Sequence, residues 1–159
     1  MKFYVPQVND CVIGVVTHVF SEEYEVELNS SHTGRLNTVA FEGATKRNRP
    51  YLKPGSLVYC RVLQAFPGMQ PDLTCIVSNG PKSEWVNGSS LFGELTGGNV
   101  FKVSIEDARK LVDPKDDTLR TIGSQIPYEC AVGLNGYVWV NSKDCKSTIT
   151  IVNTILNSL

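Results

Sequence analysis

The stretch FEGATKRNRP, Phe41 to Pro50, is the long connection between the third and fourth of five predicted strands. Segments rich in valine, isoleucine and aromatic residues lie on both sides of it and predict strands. The predicted strands are residues 10–20, 24–28, 35–40, 56–66 and 72–78. Five strands with an elaborated connection after the third are typical of an OB-fold barrel, and a small β-sandwich is the competing arrangement.

This connection is also the most basic segment of the chain, because Lys46, Arg47 and Arg49 lie within four positions of each other. Cations on a loop between rigid strands suit the phosphate backbone of a nucleic acid, so these three residues are candidate RNA-binding residues. The alternative is a solvated loop that only keeps the surface soluble.

Counted together with this connection, the charges of each half of the chain nearly cancel. Residues 1–78 carry seven lysines and arginines against seven carboxylates, and residues 79–159 carry eight against nine. A single loop of three cations releases few counterions, so we expect the chain alone to bind RNA weakly.

The composition is that of an ordinary globular protein, with 159 residues, 42% of them hydrophobic and 19% charged. Apolar runs such as Cys11 to Val16 are too short to span a membrane, and no signal-peptide pattern precedes the strands, so we expect an intracellular protein with no membrane partner. The five cysteines are odd in number and show no metal-ligand spacing, which predicts reduced thiols and no metal site. They are Cys11, Cys60, Cys75, Cys130 and Cys145.

A polar turn cluster at residues 78–83 indicates a boundary between two domains, residues 1–78 and 79–159. In the second domain, residues 90–95 and 100–104 read as a hairpin through Gly97-Gly98. Ser104 begins a helix that Pro114 ends, and a second helix, residues 117–122, ends at Gly123.

Two further strands, residues 127–132 and 137–141, are joined by the turn Gly133-Leu134-Asn135-Gly136, in which Asn-Gly favours a type I′ hairpin. Ser142 begins a last helix whose apolar stripe is expected to face a sheet. The stripe consists of Cys145, Ile149, Val152, Ile155, Leu156 and Leu159. The order strand, helix, helix, strand, strand, helix is that of a KH-type α+β domain.

A KH domain grips RNA with a Gly-x-x-Gly loop between its first two helices. Here the link reads Asp113-Pro114-Lys115-Asp116, which has no glycine and carries carboxylates that repel phosphate. The Gly133–Gly136 string matches the pattern but lies in a hairpin without nearby cations, which favours a packing turn. The second domain therefore looks like a KH fold without the usual KH function.

Catalysis finds no support in the sequence. His18 and His32 are the only histidines, and neither lies in a nucleophile or metal-ligand pattern. Gly97-Gly98 is not followed by Lys-Ser/Thr, so a phosphate-binding P-loop is absent from the sequence. We expect no enzyme activity and no cofactor.

Four stretches resemble the S1/KH cap subunits of the RNA exosome. They are DCVIGVV (residues 10–16), FEGATKRNRP (41–50), GSLVY (55–59) and VGLNGYVWV (132–140). The resemblance implies a mixed fold, a five-stranded S1-type OB barrel followed by a KH-type domain. It also implies that the Gly133–Gly136 turn packs between the domains, and that Lys46, Arg47 and Arg49 lie at a pore through which RNA passes.

The resemblance further implies a non-catalytic subunit that stabilises a ring of RNase PH-like proteins and guides single-stranded RNA towards a separate nuclease for 3′-to-5′ processing. The implied partners are RNA, the ring subunits and the other cap subunits, in the nucleus, nucleolus and cytoplasm. Family members carry a further domain before the S1 strands, so we expect these residues to be part of a longer protein. A protein-interaction scaffold whose S1 surface does not contact RNA is the alternative.

Overall fold

A computed structural model describes residues 4–41, 51–66, 68–76, 92–113, 115–116 and 118–159. The strands of the first half are β1 (Cys11–Val19), β2 (Glu23–Glu27), β3 (Gly34–Phe41), β4 (Leu57–Gln64), β5 (Asp72–Cys75) and β6 (Gly93–Leu95). The second half contains β7 (Asn99–Lys102), α1 (Ile105–Val112), α2 (Thr118–Gln125), β8 (Tyr128–Val132), β9 (Tyr137–Ser142) and α3 (Cys145–Ser158).

The first five strands close into a barrel. Their order is β1-β2-β3-β5-β4, and β1 also pairs with β4, with Val12 opposite Cys60. Only β3 and β5 are parallel to each other within this ring. Alternate residues of each strand point inwards, as Tyr24 and Val26 do on β2, and form the barrel core. The predicted OB-fold barrel is confirmed.

The second half is an α+β unit with the predicted KH order. Its sheet has the order β7-β9-β8, and all its pairs are antiparallel. Cys130, Val132, Val138 and Val140 pack on one face against the helices, whereas Ala131 and Trp139 pack on the other face against the barrel. Because both faces are covered, β8 and β9 read as nearly continuous apolar runs.

The predicted hairpin between residues 90–95 and 100–104 is wrong. β6 pairs with β4, with Leu57 opposite Leu95, while β7 pairs with β9. Gly97 and Gly98 both have positive φ and separate the two strands. The indole Nε1–H of Trp139 donates to the Gly97 carbonyl at 2.8 Å, which fixes this turn against the second sheet.

The predicted domain boundary at residues 78–79 lies outside the described residues and stays a prediction. β6 follows that boundary in the chain and still adds to the barrel sheet.

Two helix ends differ from the sequence prediction. Ser104 caps α1 as expected, its Oγ accepting the Asp107 N–H at 3.0 Å. Gly123, however, lies inside α2, without the positive φ of a helix-terminating glycine. Asp144 rather than Ser142 caps α3 by accepting the Ser147 N–H at 2.7 Å, because a carboxylate aligned with the first turn is the stronger acceptor.

The apolar stripe predicted for α3 is only partly buried. The buried positions are Thr148, Ile151 and Ile155, whereas Ile149 and Leu156 are exposed. Thr148 replaces an apolar residue on the inner face because its hydroxyl shares a hydrogen bond with Ser142 at 2.7 Å and donates to the Asp144 carbonyl. These hydrogen bonds to the residues just before α3 remove the cost of burying the hydroxyl.

Replacing Gly123 by Ala tests the position of this glycine. An added Cβ would lie 3.4 Å from Tyr128, an acceptable contact, and Ala is the better helix former. We expect the free energy of unfolding in urea to rise by about 0.5–1 kcal/mol. Gly98→Ala is the control that should destabilise, because its Cβ would collide with the Val140 carbonyl. A loss of stability in Gly123→Ala would instead support the helix end predicted from sequence.

Candidate nucleic-acid interface and interdomain turn

The turn between β8 and β9 is a tight hairpin that points at the barrel. The Gly136 N–H donates to the Gly133 carbonyl at 3.0 Å, and the Gly133 N–H donates to the Tyr137 carbonyl at 2.8 Å. Gly136 has φ +96°, whereas Leu134 and Asn135 do not have positive φ. The expected type I′ turn is therefore wrong. The pattern fits a type I turn followed by a left-handed glycine, which also uses the Asn-Gly pair.

The Asn135 side chain is fully buried and is bonded to the barrel backbone. Its Oδ1 accepts the Ile13 N–H at 3.2 Å. Its Nδ2 donates to the carbonyls of Ile13 at 2.7 Å and Leu28 at 2.9 Å. One side chain thus satisfies three backbone groups of the first domain, which would otherwise be buried without partners.

Neighbouring residues extend this contact. The Leu134 N–H donates to the Cys11 carbonyl at 2.8 Å, and the Leu134 side chain packs against the barrel core. Asn29 has φ +58°, and its Nδ2 donates to the Asn135 carbonyl at 3.0 Å. The Tyr137 hydroxyl donates to Glu27 Oε2 at 2.8 Å. Burial and this hydrogen bond raise the pKa of Tyr137, so the phenol keeps its proton and remains a donor.

Both glycines of the turn are required by close approach. A Cβ on Gly133 would lie 2.6 Å from the Ile13 amide nitrogen and would also collide with Asn135 Oδ1. A Cβ on Gly136 would lie 2.7 Å from the Val103 carbonyl oxygen. The Gly-x-Asn-Gly pattern is therefore explained by packing, because neither position accommodates a side chain.

An apolar cluster completes the joint. Ile13 and Leu95 from the barrel sheet are buried together with Ala131 and Trp139 from the second sheet. Tyr59 packs against them, and burial raises the pKa of its phenol. The interdomain turn and this cluster together form the contact between the domains.

The outer face of β2 and β3 is acidic. Strands 2 and 3 are the usual oligonucleotide-binding face of an OB fold. Here Glu23, Glu25 and Glu27 alternate with the inward residues of β2. Arg35 on β3 forms an ion pair with Asp72 at 2.9 Å. This face repels phosphate, which the sequence prediction did not consider.

The link between α1 and α2 is closed by its own carboxylates. Asp113 Oδ1 accepts the Lys115 N–H at 2.9 Å, and Asp116 Oδ1 accepts the Thr118 N–H at 2.8 Å. Hydrogen bonds from Thr118 lower the pKa of Asp116, so this carboxylate stays ionised. The described Lys115 and Thr118 N–H groups therefore already have carboxylate acceptors, and neither is free to hold a phosphate.

The predicted RNA-binding residues Lys46, Arg47 and Arg49 lie outside the described residues. The residues at either end of that segment are anchored, since Phe41 and Leu52 are buried in the barrel core. The Leu52 N–H donates to the Tyr24 hydroxyl at 3.2 Å. The β1–β2 turn lies at the same barrel end, because the Thr38 N–H on β3 donates to the Glu22 carbonyl at 3.0 Å.

The buried thiols are not activated. Cys60, Cys75 and Cys130 are buried, and burial raises the pKa of Cys75 and of Cys130 to about 12. Within the described part of the chain, no group of three or more His, Cys, Asp or Glu side chains could hold a metal ion. No described helix has the length and apolar character to cross a membrane.

The closed five-stranded barrel joined to a β-α-α-β-β-α unit through a Gly-x-Asn-Gly turn defines an S1–KH protein. Two family models match: the S1 domain of exosome complex component RRP40 over residues 4–85, and a KH domain over residues 98–146.

Relatives of known sequence and a solved structure agree with these two family models. Exosome complex component rrp40 of Schizosaccharomyces pombe is 43% identical over 157 residues, which cover 98% of this chain and 63% of the relative. Exosome complex component RRP40 of Homo sapiens is 36% identical over 154 residues, covering 97% and 54%. The crystal structure of an exosome complex RNA-binding protein has a TM-score of 0.71 at 21% identity, covering 96% of this chain and 86% of that one, and supports the fold.

The chain belongs to the RRP40 family of exosome complex components, as the resemblance in the sequence indicated. It spans 63% of the length of the Schizosaccharomyces pombe relative and 54% of the human one.

Asn135 provides a test of the interdomain turn. Asn135→Ala leaves three buried backbone groups without partners and should lower the free energy of unfolding by about 3 kcal/mol or more. Asn135→Asp places a carboxylate against two carbonyls, so the pKa of the introduced carboxyl is raised. Its stability deficit should therefore be smallest at acid pH and should grow as pH rises through that raised pKa.

Urea unfolding from acid to neutral pH, each variant compared with the parent protein at the same pH, measures both effects. Asn153→Asp, at an exposed position of α3 whose neighbours three and four residues away are uncharged, is the matched control and should change stability by no more than about 0.5 kcal/mol. A deficit for Asn135→Asp that does not change with pH would contradict the described hydrogen bonds.

Proposed function

We propose that this chain is the S1–KH part of a non-catalytic, RNA-binding exosome cap subunit. It stabilises the ring of RNase PH-like subunits and guides single-stranded RNA into the central pore for 3′-to-5′ processing and degradation. The observation that carries the proposal is membership of the RRP40 family over nearly the whole chain. The partners are RNA, the ring subunits and the other cap subunits, in the nucleus, nucleolus and cytoplasm.

Three charges in the connection between β3 and β4 are the proposed RNA contact. Lys46, Arg47 and Arg49 are the densest group of cations in the sequence. The acidic outer face of β2 and the carboxylate-closed link between α1 and α2 both disfavour phosphate. RNA contact in this part of the protein is therefore assigned to the basic connection, where cations can replace counterions of the RNA.

The interdomain turn has a positioning role in this proposal. Gly133, Leu134, Asn135 and Gly136 join the second unit to β1 and to the residues after β2, so they fix its orientation on the barrel. A fixed pair of domains holds the barrel at one angle to whatever the second unit contacts. We assign no RNA contact to the turn, because its polar side chain is buried and fully bonded.

A protein-interaction scaffold is the second candidate. The acidic outer face of β2 favours it, since a surface with Glu23, Glu25 and Glu27 suits a basic protein surface better than RNA. In that case Lys46, Arg47 and Arg49 would bind a neighbouring subunit. The two candidate functions predict different effects of removing these cations, one on RNA protection and the other on assembly of the complex.

Changing Lys46, Arg47 and Arg49 together to Glu should strongly reduce RNA protection in a reconstituted exosome, because three phosphate contacts become repulsions. The salt dependence of RNA binding should flatten by roughly one unit in slope per lost cation. Assembly should be intact, since exposed loop substitutions usually change stability by no more than about 0.5 kcal/mol. The measurements are subunit stoichiometry and protection of single-stranded RNA from added nuclease.

The matched control makes the same charge change elsewhere, with Lys110, Lys143 and Lys146 changed to Glu; all three are exposed on the second unit. This control should retain RNA protection. Unchanged protection in an intact complex carrying the Lys46, Arg47 and Arg49 substitutions would refute the RNA assignment. Normal protection with weakened assembly would establish the scaffold function.

A further inference from the structure

The interdomain turn contains an Asn-Gly pair, Asn135-Gly136, and Asn-Gly is the dipeptide most prone to spontaneous deamidation. In this reaction the main-chain nitrogen of the glycine gives up its proton and attacks Cγ of the asparagine, and the side-chain nitrogen leaves as ammonia. The five-membered succinimide then takes up one water and opens to aspartate or isoaspartate. Glycine favours the attack because it has no Cβ to shield the nitrogen. The other Asn-Gly pairs of the sequence are Asn79-Gly80 and Asn87-Gly88.

The closed joint between the domains holds both reacting groups in place. Asn135 Oδ1 accepts the Ile13 N–H at 3.2 Å, and Asn135 Nδ2 donates to the Ile13 and Leu28 carbonyls at 2.7 and 2.9 Å. The attacking nitrogen is also engaged, since the Gly136 N–H donates to the Gly133 carbonyl at 3.0 Å. Turning Cγ of Asn135 towards the Gly136 nitrogen would therefore break the hydrogen bonds between this side chain and the barrel.

The same turn is closed to water and to base. Asn135 is 0% exposed, and Gly133 and Gly136 are buried on either side of it. The packing leaves no space beside the side chain, because a Cβ on Gly133 would lie 2.4 Å from Asn135 Oδ1. Deamidation needs a base to remove the Gly136 proton and a water to open the ring. Both reach the turn only when the joint opens.

Deamidation would remove the interaction that joins the domains. Aspartate at position 135 has no N–H to donate, so its carboxylate would face the carbonyls of Ile13 and Leu28. Isoaspartate adds a methylene to the main chain and would displace Gly136, at which even a Cβ would lie 2.7 Å from the Val103 carbonyl oxygen. Both products disfavour the closed joint, and hydrolysis does not return them to asparagine.

We propose that Asn135-Gly136 is a deamidation site that the closed interdomain joint protects, so that the reaction marks chains whose two domains have separated. The side chain that forms the joint is also the one that the joint protects, so a chain that folds at once keeps its amide. A chain whose joint stays open loses the amide and can no longer close the joint. The site is independent of the RNA assignment, because no residue of the basic connection takes part.

Peptide mass spectrometry of the chain at mildly alkaline pH tests the site, because replacing NH₂ by OH changes the mass of a peptide. In concentrated guanidinium chloride all three Asn-Gly pairs should react at comparable rates, so Asn79 and Asn87 are internal standards for the unfolded chain. In native buffer Asn135 should react at least about a hundredfold more slowly than in guanidinium chloride, since opening breaks three hydrogen bonds at once.

Two variants weaken the joint and leave the Asn-Gly pair unchanged. Gly133→Ala places a Cβ 2.6 Å from the Ile13 amide nitrogen, and Tyr137→Phe removes the hydrogen bond to Glu27. In native buffer the Asn135 rate should rise by at least about tenfold in Gly133→Ala and by about fivefold in Tyr137→Phe. Tyr137→Phe is the milder change and decides the test if Gly133→Ala does not fold. Gly123→Ala, within α2, is the matched control and should react no faster than the parent chain.

A chain carrying Asn79→Gln and Asn87→Gln retains Asn135-Gly136 as its one Asn-Gly pair and tests the consequence of the reaction. After partial reaction in guanidinium chloride and refolding, anion exchange separates the reacted chains by their added negative charge. The Leu134 N–H, which donates to the Cys11 carbonyl in the closed joint, should exchange at least about tenfold faster in the reacted chains. Equal exchange in both fractions would show that the reaction does not prevent closure and would overturn the proposal.

Three results of the rate measurements would also overturn it. The first is an Asn135 rate in native buffer that equals the rate in guanidinium chloride, because the joint then gives no protection. The second is reaction of Asn79 and Asn87 in guanidinium chloride without reaction of Asn135. The third is an Asn135 rate that stays at the parent value in both joint variants, since the protection would then not come from the joint.

Discussion

The hydrogen bonds from Asn135 to the barrel backbone are the constraint on which the arrangement of the two domains depends. A buried amide is costly unless its donors and acceptor are paired, and here the carbonyl and both N–H groups find partners on Ile13 and Leu28. The backbone conformation that places the Asn135 side chain against the barrel requires glycine at positions 133 and 136. Removing the Asn135 side chain takes the partner from three backbone groups of the barrel, so the joint is specified by hydrogen bonding as well as by apolar area.

This joint explains why the second sheet is buried on both faces. The helices cover Val138 and Val140, and the barrel covers Trp139 through Ile13 and Leu95. The barrel is thereby held with its acidic β2 face, and with Phe41 and Leu52 beside the β3–β4 connection, in fixed directions relative to the second unit. Under the proposed function, such a fixed orientation lets one domain bind a neighbouring subunit while the other contacts RNA.

Much of the fold could be predicted from the sequence, because alternation and turn residues report local structure directly. The barrel strands and the KH order were predicted correctly. The sequence predictions were wrong where one local sequence pattern is compatible with two different structures. Asn-Gly fits both a type I′ turn and a type I turn followed by a left-handed glycine, and Gly97-Gly98 fits both a hairpin and a change of sheet. Gly123 ends a helix only if its φ is positive, which sequence does not reveal. The three hydrogen bonds of Asn135 join residues far apart in sequence, so no periodicity could predict them.

The most direct test of a single S1–KH body is amide ¹⁵N relaxation measured on the unmodified chain. If the Asn135 joint holds, amides of the barrel and of the second unit report the same overall rotational correlation time and one diffusion tensor. Two distinct correlation times, one for each unit, would contradict the account, because the hydrogen bonds between Asn135, Ile13 and Leu28 could not then persist in solution.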